Sequence, residues 1–157
     1  MQRFNRILIT GGAGFIGSAL IRKLLKDYSC YIYNLDKLTY ASDLNSINTL
    51  VKTLGPKASK RYKFFQVDIS SRELLDNIID QTKPELIIHV AAETHVDQSI
   101  KYPENFIQSN IIGTFQLLQS SLDYYEKIDS DINNKFRFIH ISTDEVFGSL
   151  DEDGKFS

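Results

Sequence analysis

Thr143, Asp144 and Glu145 are the side chains best suited to acid–base chemistry in this sequence of 157 residues. They directly follow an apolar run that ends at Ile141 and Ser142, so they come after a predicted strand. Two carboxyl groups in one cleft can have different pKa values, one staying protonated as an acid and the other ionised as a base. Taken alone, two acids in a solvated turn are the simpler interpretation.

A glycine-rich turn, Thr10-Gly-Gly-Ala-Gly-Phe-Ile-Gly17, is the clearest motif. It follows a predicted strand and opens a predicted helix, whose N-terminal N–H groups and dipole favour phosphate. Gly11 would permit the tight turn, Gly14 the approach of a pyrophosphate, and Gly17 close packing of the helix against the sheet. The alternative is a turn whose glycines serve packing only.

Two further strand ends carry aspartate. A carboxylate at Asp36 can accept hydrogen bonds from a ribose 2′-hydroxyl and repels a 2′-phosphate, which favours NAD over NADP. Lys37 weakens this argument because a cation tolerates phosphate. Asp68 and Ile69 end the third predicted strand, where an adenine ring would lie. Both aspartates are also common turn residues.

The end of the fourth predicted strand is Val90-Ala-Ala92, whose small side chains leave room for a ligand or serve core packing. His89 and His140 lie inside apolar runs and are predicted to be core residues. His95 has no partners at the spacing of a metal site, so no metal is predicted.

These residues sit on an alternating pattern of strands and helices. Strands are predicted at 6–10, 30–35, 62–67, 85–92 and 136–142, and helices at 14–27, 44–54, 71–81 and 103–127, with a polar loop at 129–135. Such alternation predicts an α/β, Rossmann-like, doubly wound parallel sheet with right-handed crossovers. The sequence stops in a polar segment at 151–157, just after a strand, and we expect a truncation there.

Composition excludes several classes of protein. The net charge of −2 is spread along the chain and gives no footprint for nucleic acid or an anionic membrane. Cys30 is the single cysteine, which excludes an internal disulfide. No apolar stretch is long enough to span a bilayer, and the start has no signal-peptide core, so we expect a cytoplasmic location.

The sequence resembles the extended short-chain dehydrogenase/reductase family of nucleotide-sugar enzymes, and within it the 4,6-dehydratases. The Thr-Asp-Glu signature is the specific part of the resemblance. It implies NAD as cofactor and a nucleotide sugar as substrate, dTDP-glucose first and a UDP-sugar as the alternative. The matching segments are 10–18, 36–41, 91–97, 110–114 and 141–148.

The resemblance also implies roles for individual residues. Glu145 would remove the proton at sugar carbon 5, Asp144 would protonate the departing hydroxyl at carbon 6, and Thr143 would hydrogen-bond the sugar. Thr94 would contact the substrate or ribose. The implied NAD site comprises Gly11, Gly14, Phe15, Ile16, Gly17, Asp36, Lys37, Leu38, Thr39, Asp68, Ile69, Val90, Ala91, Ala92 and Ser109.

The family's Tyr-x-x-x-Lys pair is absent, and the resemblance covers only the first half of a family member. Tyr33 and Lys37 have that spacing, but a catalytic pair at this spacing needs a helix, and Tyr33 lies on a predicted strand. We therefore expect residues 1–157 to be an incomplete NAD-binding domain that is inactive alone.

The resemblance also implies an association. A full-length member would form a homodimer through the 103–127 helix, and the chain would expose apolar surface there. The alternative from another class of protein is a NAD-binding module without catalysis.

Overall fold

Five parallel strands form the centre of the molecule. The computed structural model describes residues 4–128, 135–148 and 154. The strands are β1 (Arg6–Thr10), β2 (Tyr31–Asp36), β3 (Tyr62–Gln66), β4 (Leu86–His89) and β5 (Arg137–His140). Their order in the sheet is β3-β2-β1-β4-β5, and every neighbouring pair is parallel. The predicted doubly wound α/β sheet is therefore confirmed.

Helices connect the strands. They are α1 (Phe15–Asp27), α2 (Asn45–Leu54), α3 (Pro56–Ser59), α4 (Arg72–Thr82), α5 (Val96–Lys101), α6 (Pro103–Phe106) and α7 (Thr114–Lys127). A π-helix at Ile107–Gly113 joins α6 to α7. The predicted 103–127 helix is thus one helical segment with a π-helical middle, while α3 and α5 were not predicted.

The two faces of the sheet bury separate apolar clusters. Ile7 and Ile9 face α1 and pack with its Ile21 and Leu25. The residue between them, Leu8, faces the opposite way and belongs to the cluster that α4 and α7 cover. Successive side chains of β1 thus point to opposite faces and are buried on both, because helices cover both faces of the sheet.

Some apolar helix positions lie outside this core. Phe15 and Ile16, at the start of α1, are 93% and 58% exposed, and Leu74 on α4 is 46% exposed. The sequence of the predicted 71–81 helix places Leu74, Leu75, Ile78 and Ile79 on one apolar face, and this was wrong at Leu74, since only the other three are buried. Phe15 and Ile16 occupy the first turn beyond the sheet edge, where a ligand rather than the core can meet them.

Strand β5 is the edge strand among the described residues, and it is mostly exposed. The prediction that His140 is a core residue was therefore wrong, whereas His89, on the next strand inward, is fully buried. The polar loop predicted at 129–135 and the polar segment 151–157 lie almost entirely outside the described residues. Within the described part of the chain, no helix is both long and apolar enough to cross a membrane.

Candidate functional site

A crevice of about 330 Å³ opens at the carboxyl edge of the sheet. It lies over the ends of β1, β2 and β4, where the chain order reverses and α/β sheets bind ligands. Most of the predicted NAD-site residues meet there. Those lining the crevice are Gly11, Gly14, Phe15, Ile16, Gly17, Asp36, Lys37, Thr39, Ile69, Val90, Ala91, Ala92 and Ser109, together with Thr94.

The glycine turn forms one wall of the crevice. Gly11 has φ +69°, and a Cβ there would come within 2.6 Å of the Ala91 backbone, so only glycine fits. A Cβ on Gly14 would meet only the Gly11 carbonyl oxygen, at 3.3 Å. The space in front of Gly14 is therefore open to a ligand, at the N-cap of the 13-residue helix α1.

Gly17 has a different neighbour from the one we expected. A Cβ on Gly17 would overlap the Gly11 carbonyl oxygen and lie 2.7 Å from the Gly12 Cα. The close approach is thus between α1 and the turn itself, and not between α1 and the sheet. Gly12 is also confined, because a Cβ there would overlap the Asn34 amide oxygen on β2.

The Asp36 carboxylate joins the end of β2 to the glycine turn. Its Oδ2 accepts the Ala13 N–H at 2.9 Å. Its Oδ1 accepts the Leu38 N–H at 2.9 Å and the Ser42 hydroxyl at 3.0 Å. Asp36 is buried but lines the crevice, so it presents a fixed negative charge there while it holds two loops together.

Leu38 and Asp68 were predicted as NAD-site residues but do not line the crevice. Leu38 has φ +61° and lies in the turn that the Asp36 carboxylate stabilises by accepting the Leu38 N–H. Asp68 accepts the Ser70 N–H at 2.9 Å through its side chain, which is an Asx turn leading into α4. The turn-forming alternative describes what Asp68 does in this structure.

A polar cluster at the crevice joins two predicted site residues, Lys37 and Ser109, to Glu93, which the sequence interpretation missed. Lys37 Nζ donates to Ser109 Oγ at 2.6 Å and lies 3.3 Å from Glu93 Oε1. Asn110 holds Glu93 in place, since its Oδ1 accepts the Glu93 N–H at 2.8 Å and its Nδ2 donates to the Glu93 carbonyl at 2.9 Å. A polar Glu93 directly after the Val90-Ala-Ala92 strand end was the available signal.

Two aromatic side chains that were not among the predicted site residues also line the crevice. Tyr40 follows β2 and His95 follows β4, and their rings meet with centroids 5.5 Å apart. Both line the crevice, so the two loops touch across it at the aromatic pair as well as at Lys37.

His89 is a buried polar link beneath the crevice. Its Nδ1 lies 2.7 Å from Thr10 Oγ1 and its Nε2 lies 2.9 Å from Thr114 Oγ1. Burial, followed by the charge of nearby His140, lowers the pKa of His89 from 6.5 to about 4. The neutral ring therefore ties the ends of β1 and β4 to the start of α7.

The predicted acid pair follows the end of β5, and the described side chain of Asp144 is not among those that line the crevice. Thr143 and Asp144 are exposed, and the Thr143 hydroxyl donates to Asp144 Oδ1 at 3.2 Å. Glu145 belongs to a 3₁₀ helix at Asp144–Phe147, but its side chain is outside the description. Strand β5 pairs with β4, so the acids share the sheet edge at which the crevice opens.

The sheet order, the glycine turn and the acidic end of β2 define a dinucleotide-binding domain of the Rossmann type. The family model described as GDP-mannose 4,6 dehydratase matches residues 8–156, and the chain belongs to that family.

Individual relatives agree. The dTDP-glucose 4,6-dehydratase of Neisseria meningitidis is 46% identical over 93% of this chain and 39% of its own length. The crystal structure of the same enzyme from Bacillus anthracis, in complex with NAD, has a TM-score of 0.74 at 33% identity and covers 96% of this chain and 41% of that chain.

A UDP-glucose 4-epimerase from Thermotoga maritima, solved with UDP-glucose, also has this fold. Its TM-score is 0.72 at 28% identity, and the match covers 93% of this chain and 40% of that one. The chain therefore spans about 40% of the length of the relatives it matches.

Proposed function

We propose that the chain binds NAD in the crevice and is the cofactor-binding part, residues 1–157, of a dTDP-glucose 4,6-dehydratase. The observation that carries the proposal is the position of the buried Asp36 carboxylate, 2.9 Å from Ala13 N and beside the open space at Gly14. This arrangement offers an acceptor for a ribose hydroxyl next to a helix N-terminus for the pyrophosphate.

The lining of the crevice fits the parts of NAD. The pyrophosphate would lie against Gly14, and the adenosine ribose against Asp36. Val67 and Ile69 would provide an apolar wall for the adenine, and Ala91 would leave room along the backbone of the β4 end. NAD, when bound, would supply the hydride acceptor and donor of the reaction.

Asp144 and Glu145, which follow β5, would carry out the acid–base steps on the sugar. In this proposal Glu145 takes the proton from carbon 5, Asp144 protonates the departing hydroxyl at carbon 6, and Thr143 and Thr94 hydrogen-bond the substrate. Their place beyond β5, at the same sheet edge as the crevice, supports the assignment. The substrate dTDP-glucose is proposed because the relatives named above carry that name.

We expect the 157 residues alone not to convert dTDP-glucose. Tyr33 and Lys37 have the spacing of the family's proton-transfer pair, but Tyr33 lies within β2 and packs against the core. Lys37 instead reaches the crevice. In the full-length enzyme, the helical segment 103–127 would form a homodimer contact.

A binding titration tests the proposal. Calorimetry of the 157-residue chain with NAD should show one site, and Asp36→Ala should weaken NAD and reduce the preference over NADP. Asp80→Ala, an exposed aspartate on α4, is the matched control and should change neither. Absence of NAD binding by the unaltered chain would contradict the cofactor assignment, and formation of a 4-keto-6-deoxy sugar would contradict the expected inactivity.

A further inference from the structure

Lys37 directly follows Asp36, which we proposed to favour NAD over NADP, and its ammonium is paired. Its Nζ donates to Ser109 Oγ at 2.6 Å and lies 3.3 Å from the Glu93 carboxylate. The side chains of Lys37 and Glu93 are 30% and 13% exposed. All three residues line the crevice, so this contact spans it from the end of β2 to the end of β4 and the π-helix.

The partners of Lys37 are themselves fixed. Asn110 hydrogen-bonds both the N–H and the carbonyl of Glu93, which holds the Glu93 backbone against the π-helix. Ser109 is the preceding residue on the same π-helix and is buried. One short helical stretch therefore positions both groups that hold the ammonium.

An unpaired Lys37 ammonium beside Asp36 would favour NADP over NAD. Lys37 follows Asp36 directly, and its long stem can swing its charge toward the ribose edge. Among the described residues that line the crevice, Lys37 is the only lysine or arginine. A 2′-phosphate would be attracted to that charge and so overcome part of the repulsion from Asp36.

We propose that Glu93 is a specificity-determining residue, which disfavours NADP by holding the Lys37 ammonium, together with Ser109, away from the ribose 2′-position. Asp36 then acts on the ribose without a competing cation. The inference rests on the proposed function, because it requires a dinucleotide in the crevice.

The test compares the affinities for NAD and NADP in the 157-residue chain. Glu93→Gln should release Lys37 and shift the affinity ratio about two- to fivefold toward NADP, the range expected for one partly exposed ion pair. Glu126→Gln removes an exposed carboxylate from α7, away from the crevice, and should leave the ratio unchanged.

A double-mutant cycle separates Lys37 from a general effect of charge. In a Lys37→Met background, Glu93→Gln should no longer shift the ratio. The same shift in that background would overturn the proposal, since loss of one negative charge would then explain it. Retained NAD binding with an unchanged ratio in Glu93→Gln would also overturn it and leave the proposed function standing.

A second variant tests the proposal if Glu93→Gln does not fold. If circular dichroism shows that Glu93→Gln is unfolded, Ser109→Ala replaces it, because this change removes the other Lys37 partner without altering the charge. It should shift the ratio in the same direction, and an unchanged ratio would overturn the proposal. If the unaltered chain binds neither dinucleotide, the proposed function itself fails.

Discussion

Gly14 and Gly17 are three residues apart but have different surroundings, so their substitution should separate binding from folding. A side chain on Gly14 would enter the open crevice, and its extended backbone (φ −76°, ψ 178°) suits valine. Gly14→Val should change the free energy of unfolding by less than about 1 kcal/mol yet weaken NAD at least about tenfold. Urea unfolding and calorimetry measure the two effects.

Gly17→Ala is the matched variant. Its Cβ would overlap backbone atoms of Gly11 that cannot move aside, so we expect a loss of about 1–3 kcal/mol in the free energy of unfolding. Equal stability of the two variants would contradict this arrangement of the turn. Normal NAD affinity of Gly14→Val would contradict the pyrophosphate position.

His89 should give the protein a defined pH dependence. Its pKa is about 4 when folded against 6.5 as the ordinary value, so between these pH values the unfolded chain binds a proton that the folded protein does not. The free energy of unfolding should therefore fall as the pH drops from about 6.5 to about 4. The contribution of this one group is up to about 3 kcal/mol.

His89→Gln should flatten stability in that pH window, which urea unfolding at several pH values measures. His140→Gln is the control. Its ring lies 4.8 Å from that of His89 but is exposed, so most of the fall should persist. A His89→Gln variant with the same slope as the unaltered chain would show that other groups cause the pH dependence.

The π-helix is the element that joins the crevice to the body of the molecule. Its Asn110 hydrogen-bonds both backbone groups of Glu93, and its Gly113 lies so close to Ile69 that a Cβ would come within 2.7 Å of that side chain. Such wide turns inside helices are frequent at functional sites. Here the wide turn brings Ser109 and Asn110 to the ends of β2 and β4.

Asn110→Ala should loosen the loop after β4. Two hydrogen bonds are lost, so we expect a decrease of about 1–3 kcal/mol in the free energy of unfolding and weaker NAD binding. Asn105→Ala, at an exposed position on α6, should have no such effect. Thermal unfolding and calorimetry test both variants. Unchanged NAD affinity in Asn110→Ala would show that the two hydrogen bonds from Asn110 to Glu93 do not shape the crevice.

Local patterns predicted the elements whose structure depends on neighbours in sequence. The boundaries of β1 are those expected, and the helix at 44–54 ends at Gly55, whose φ of +78° only glycine adopts readily. Pairings between distant segments were not predictable. Lys37 meets Glu93 and Ser109 only because the sheet order brings the ends of β2 and β4 together.

The prediction that His140 is buried was wrong for a related reason. The apolar run around His140 was expected to be covered on both sides, as His89 is, but β5 is the edge strand among the described residues. The π-helix was not predicted either, because the sequence indicated one continuous helix over 103–127. The roles of Thr143, Asp144 and Glu145 stay predictions.

At the scale of the whole molecule, the outer face of α7 carries apolar side chains that the described residues leave uncovered. Phe115, Leu118 and Leu122 are 54%, 44% and 48% exposed. Leu118 and Leu122 also line a shallow apolar groove with Phe136 and Phe138 of the last strand segment. A contiguous patch of this kind favours association with another apolar surface.

The 157-residue chain should therefore self-associate as its concentration rises, as sedimentation velocity would show. Leu118→Glu with Leu122→Glu should keep it monomeric, because each charge would have to be desolvated at the contact. Both leucines are only half-buried, so the free energy of unfolding should fall by no more than about 1 kcal/mol per site. NAD affinity should not change, since the patch lies away from the crevice.

Leu54→Glu is the control for the added charge. Leu54 is 40% exposed on α2, which covers the opposite face of the sheet from α7, so this variant should associate like the unaltered chain. If Leu54→Glu also becomes monomeric, net charge rather than the α7 face governs association. If the unaltered chain stays monomeric at every concentration, the exposed face of α7 does not bind a second copy, and the homodimer contact proposed for segment 103–127 loses its support.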